Sequence, residues 1–138
     1  MRWLSLISII LSFSLAAEQS KVMGDWEVHY IAINSTFLTP EIARANQIKR
    51  SPNNTLINIS VLDRDSKQAQ QVTITGNARN LMGNVIELKF KQVVEGEAIY
   101  YLASMPFEHE EHYRFNIELK QGKIMQNLKF EQKLYKEN

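Results

Sequence analysis

Apolar and polar residues alternate with period two from Asp25 to the C-terminus, and this pattern restricts the chain to strands. The run 84–92 is the cleanest, with Ile86, Leu88 and Phe90 on one face and Glu87, Lys89 and Lys91 on the other. Run 25–34 sets Trp26, Val28, Tyr30 and Ala32 on one side, run 55–62 does the same with Ile57, Ile59 and Val61, and run 112–119 with Tyr113, Phe115, Ile117 and Leu119. Runs 70–76 and 124–134 are in phase through Val72 and Ile74, and through Ile124, Leu128, Phe130 and Leu134. Run 98–105 reads as a strand buried on both faces. Turn residues separate the runs at 63–66, 80–84, Glu95-Gly96 and Gln121-Gly122. Seven short strands without helical crossovers predict an all-β fold, an antiparallel immunoglobulin-like β-sandwich of about seven strands.

One segment departs from the alternation. Thr39, Pro40 and Glu41 read as helix N-cap, first helical position and first-turn acid. They predict one short helix of roughly two turns ending near Asn46. Ser35, Thr36, Phe37 and Leu38 lead into it, and the whole excursion is the only long connection. Its apolar residues admit two roles. Either they plug an open end of the core, or Ser35, Thr36, Phe37, Leu38 and Glu41 form a binding surface.

The N-terminus carries an address. Arg2 precedes an uncharged apolar run over 3–15, and Ser14, Leu15 and Ala16 follow the small-residue pattern of a cleavage site. A signal peptide over 1–17 and a single sandwich domain over 18–138 are expected, in the periplasm and without membrane insertion after cleavage. The run is short for a spanning helix, which needs about 20 apolar residues. With no Cys in the sequence, neither disulfides nor thiolate chemistry is available to the domain.

Composition argues against several functions. The sequence has 16 Lys and Arg against 15 Asp and Glu; loss of Arg2 with the signal makes the numbers equal. A nucleic-acid partner calls for a basic excess or stripe, so none is expected. There is no G-x-S-x-G elbow and no Gly-rich phosphate loop, so neither an enzyme nor a cofactor is expected.

The densest cluster of reactive side chains is Glu108, His109, Glu110, Glu111 and His112. Imidazoles and carboxylates suit borderline metals. A metal-handling alternative would use His109, His112, Glu108 and Glu111, with His29 as a further ligand. However, the two His stand at i and i+3, which face opposite ways on a strand. A solvated acidic connection is the simpler account of the cluster. Tyr113, two residues before Phe115, sits where immunoglobulin-like domains place a corner tyrosine, and a plain core tyrosine accounts for it equally well.

Two blocks carry a family likeness: Gly24-Asp25-Trp26-Glu27-Val28-His29-Tyr30, and Ser35-Thr36-Phe37-Leu38-Thr39-Pro40-Glu41-Ile42-Ala43. Ile48-Lys49-Arg50-Ser51, Leu56-Ile57-Asn58-Ile59-Ser60-Val61 and the closing Phe130-Glu131-Gln132-Lys133-Leu134-Tyr135 extend it. The chain resembles a domain-of-unknown-function family of small exported proteins of Gram-negative gammaproteobacteria. That resemblance implies a periplasmic sandwich without assigned activity. The expected role is therefore a non-enzymatic binding or accessory module whose partner is another periplasmic protein.

Overall fold

The computed structural model describes residues 18–136, so the signal segment expected over 1–17 lies outside the described residues. Among the described residues nine strands form: β1 (Gln19–Met23), β2 (Trp26–Asn34), β3 (Asn54–Asp63), β4 (Thr73–Asn80), β5 (Val85–Leu88), β6 (Lys91–Glu95), β7 (Ala98–Pro106), β8 (Glu111–Gln121) and β9 (Ile124–Leu134). A 3-10 turn (Ser35–Phe37) and one helix, α1 (Pro40–Ala45), lie between β2 and β3. The strands make two antiparallel sheets, ordered β1-β2-β3-β7-β6 and β5-β4-β8-β9. With β1 set aside, four strands oppose three in the immunoglobulin order, and β5 is an added edge strand.

Nine strands replace the expected seven for two reasons. β1 carries no apolar alternation and exists by pairing, with Val22 opposite Glu27 and Ser20 opposite His29. The expected run 84–92 breaks in two, because the chain leaves one sheet after Leu88 and enters the other at Lys91. Ile86, Leu88 and Phe90 still keep one phase, since both sheets face the same core. The expected strand over 70–76 begins later, at Thr73.

The inward set is the one read from the sequence. Trp26, Val28, Tyr30, Ile57, Ile59, Val61, Phe115, Ile117 and Leu119 are all buried in a single cluster shared by the two sheets. In β7 only Tyr101, Ala103 and Met105 are fully buried, so this strand has one core face rather than two. Lys21 Nζ donates to the Lys129 carbonyl at 2.6 Å and Gln132 Nε2 to the Ala32 carbonyl at 2.8 Å, closing one side of the sandwich. Gly122 at φ +59 opens the two-residue turn between β8 and β9, one position later than the Gln121-Gly122 pair had suggested.

Candidate functional site

The excursion after β2 rests on a polar frame. The buried polar residues of the described chain are Asn34, Ser35, Asn54 and Thr55, and all four stand at its base. Asn34 Oδ1 accepts from the backbone N–H and the hydroxyl of Thr36, at 3.0 and 2.8 Å, which shapes the 3-10 turn. Its Nδ2 donates to the Pro52 carbonyl at 2.6 Å. Ser35 Oγ donates to the Ser51 carbonyl and accepts from the Ser51 N–H, at 3.1 and 3.0 Å. Asn54 Nδ2 reaches the Lys49 carbonyl at 2.8 Å, and Arg50 donates to the carbonyls of Leu38 and Thr36 at 2.7 and 3.2 Å. A buried polar network satisfied in this way holds one backbone arrangement.

Helix α1 follows its sequence signals. Thr39 Oγ1 accepts from the Ile42 N–H at 3.2 Å, Pro40 opens the helix, Glu41 lies exposed in the first turn and Asn46 closes the C-terminus. The helix buries Ala43, while Ile42 is 50% exposed and Phe37 53% exposed. Phe37 therefore does not plug the core. Ser35 is the fully buried member of the expected surface, and it serves the frame.

Antiparallel pairing brings other loops to the same end. β3 begins opposite the end of β7, and β4 ends opposite Tyr113 near the start of β8. The β4–β5 turn therefore shares this pole with the excursion. It holds Leu81 and Met82 at 75% and 86% exposure. Asn80 Oδ1 pins that turn by accepting from the N–H groups of Met82 and Asn84, at 3.0 and 2.9 Å. Exposed Tyr135 follows the end of β9 here, and a hollow of about 180 Å³ lies between it and Phe37. Leu81, Met82, Arg50, Ser51 and Asn54 were not anticipated as site residues. Asn34-Ser35-Thr36 following a strand is an Asx-turn pattern that could have flagged the frame.

The three His disperse. His109 lies in the turn between β7 and β8, where its Nδ1 accepts from the Lys136 N–H at 3.4 Å. His112 is on β8, with its Nε2 at 3.8 Å from Glu131. His29, on β2, has Nε2 at 2.7 Å from Glu27 and Nδ1 at 3.4 Å from Glu18. No group of three or more His, Asp or Glu among the described residues is placed to hold a metal ion. Lys67 and His29 together hold the Glu27 carboxyl below its ordinary value. Burial, and after it the Glu111 carboxylate, pushes the Tyr113 hydroxyl up.

These features define a class: an immunoglobulin-like β-sandwich with a hydrogen-bonded loop frame at one pole. The chain belongs to the DUF4426 family, a domain of unknown function whose profile matches residues 20–137. A crystal structure of a DUF4426 family protein from Pseudomonas aeruginosa PAO1 is 33% identical, covering 89% of this chain and 98% of that one, with a TM-score of 0.79. FetP of uropathogenic Escherichia coli strain F11, recombinantly expressed in the periplasm, shares the fold at 11% identity and a TM-score of 0.62, over 88% of this chain and 96% of that one. A copper-bound FetP variant does so at 13% identity and a TM-score of 0.62, over 88% and 92%. No curated protein matches the chain in sequence.

Proposed function

We propose that this protein is an exported, non-enzymatic binding or accessory module of the periplasm that engages another periplasmic protein through the pole bearing the excursion. One observation carries the reading. A satisfied polar frame holds Phe37 and Ile42 half in water, with Leu81, Met82 and Tyr135 exposed at the same end. Pre-organised apolar side chains lower the entropic cost of association. The address read in the first seventeen residues supports the compartment.

Capture from periplasmic extract by the immobilised domain tests this reading. Phe37→Ala combined with Ile42→Ala is expected to reduce partner recovery while the urea midpoint stays nearly constant. Undiminished recovery would remove the pole from consideration. Metal handling through His109, His112, Glu108, Glu111 and His29 ranks second. FetP with copper offers that reading a shared fold alone, and the three His of this chain take separate partners.

A further inference from the structure

The outer face of the four-stranded sheet is hollowed between β4, β8 and β9, with a volume of about 490 Å³, in the range of small-molecule sites. Strand register lays out its residues as two adjacent rows. Asn77, Asn116 and Lys129 form one row, and Arg79, Arg114 and Glu131 form the next. These positions alternate with the core-facing Ala78, Phe115 and Phe130, so all six side chains stand on the solvent side. The two short amides make the floor, and the longer charged side chains make the rim.

Three observations define what would fit. Arg79 stands directly opposite Arg114, a cross-strand pairing of like charges that repels. Glu131 offsets only one of the two: its Oε1 lies 2.8 Å from Arg114 Nε. The side chains of Arg79 and Lys129 make no ion pair or hydrogen bond among the described residues. These two free cations occupy opposite corners of the grid, roughly 12 Å apart at the backbone by strand spacing and rise, with the hollow between them. The facing amides of Asn77 and Asn116 hold no hydrogen bond among the described residues either, so the floor offers both donors and acceptors. The cationic balance extends beyond the hollow: Lys120 and Lys133 join Arg79, Arg114 and Lys129 on this face, against Glu87, Glu118 and Glu131.

We infer that this hollow binds a small dianion, two carboxylates joined by a short hydroxylated chain. Arg79 takes one carboxylate with its forked guanidinium and Lys129 takes the other. Hydroxyls on the chain exchange hydrogen bonds with Asn77 and Asn116. A cation would meet two unbalanced positive charges, an apolar molecule would leave the amides unused, and a monoanion would leave one corner empty. The site uses none of the residues of the partner-binding pole, so either reading can fail alone.

Amide chemical-shift titration of the mature chain at low ionic strength tests the site with L-tartrate. Succinate serves as the dianion without hydroxyls, and threitol as the neutral match. Saturable shifts at Asn77, Arg79, Asn116 and Lys129 are expected, with L-tartrate bound more tightly than succinate and threitol not bound. Arg79→Gln should weaken tartrate binding about tenfold, the loss of one charge-assisted contact. Lys129→Gln should weaken it about threefold, the size of one screened charge contact. Glu131→Gln releases Arg114 and should tighten binding, a gain that a merely structural role of Glu131 would not produce. Asn116→Ala should bring tartrate down to the affinity of succinate. All four positions are exposed, so the variants should keep the urea midpoint of the parent. Absence of saturable shifts, binding of threitol as tight as that of tartrate, or shifts spread over Lys and Arg elsewhere in the chain would overturn the assignment. So would an Arg79→Gln variant that binds like the parent, or weaker binding by Glu131→Gln.

Discussion

The Tyr101 hydroxyl accepts a 2.8 Å hydrogen bond from the backbone N–H of Val72. Tyr101 belongs to β7 of the five-stranded sheet, and Val72 leads into β4 of the other. The same hydroxyl donates to Gln92 Oε1 at 3.2 Å, so one phenol joins the two layers. Tyr101→Phe leaves a buried N–H without an acceptor. The expected cost is about 1–3 kcal/mol, read as a lower urea midpoint at constant slope. A negligible change would mean that the tie adds nothing to the cohesion of the layers.

Phe115 stacks on Phe130 with ring centroids 4.6 Å apart and 13° between planes, and Phe130 meets Tyr30 at 4.6 Å from the opposite sheet. Phe115→Ala should destabilise the domain by about 3–5 kcal/mol, the usual consequence of truncating a core Phe. A shift under about 1 kcal/mol in urea melts would contradict its place in the packing.

Gly76 in β4 faces Ile117 across the ladder. A Cβ there would come within 2.9 Å of the Asn116 carbonyl oxygen and 2.9 Å of Ile117 Cγ1. The carbonyl cannot swing aside without breaking strand pairing. Gly76→Ala should cost about 1–3 kcal/mol through overpacking, and thermal melts of the variant check it.

At alkaline pH the tyrosines decide stability. Burial raises the Tyr30 and Tyr113 hydroxyls above the ordinary value of 10.0. Their contribution is complete below pH 10.0 and is lost as pH rises through the higher folded values. The urea midpoint should therefore fall above that pH, and Tyr113→Phe should flatten the decline. An identical alkaline limb in the variant would exonerate Tyr113.

The acid limb has the opposite sign. Backbone N–H groups of Ser66 and Asp65 hold the Asp63 carboxyl below 3.8, and Lys67 and His29 hold Glu27 below 4.5. Stability from both is present above those values and is lost as pH falls through the lower folded ones. Asp63→Asn with Glu27→Gln should make the midpoint less sensitive to acid, measured in urea from pH 6 downward. A chelator added at neutral pH should leave the melting midpoint unchanged; a drop restored by one added metal would promote the metal reading.

Period-two alternation by itself determined the sandwich class and the inward residues of β2, β3 and β8, and the cap signals Thr39 and Pro40 determined the short helix. Each is a property of a few consecutive residues, because backbone geometry alternates side chains locally and capping acts within one turn. Only the tertiary structure decided the rest. β1 is a strand because β2 offers it a ladder, and the break between β5 and β6 is silent in a pattern whose inward residues meet the same core from either sheet. The frame joining Asn34 to Pro52 and Ser35 to Ser51 spans sixteen to eighteen positions, so the local Asx-turn pattern at Asn34-Ser35-Thr36 marks one end of it but gives neither its distant partners nor the exposure it leaves to Phe37. His29 lies apart from His109 and His112 because β2 and β8 belong to different sheets, and sheet membership is set by long-range pairing.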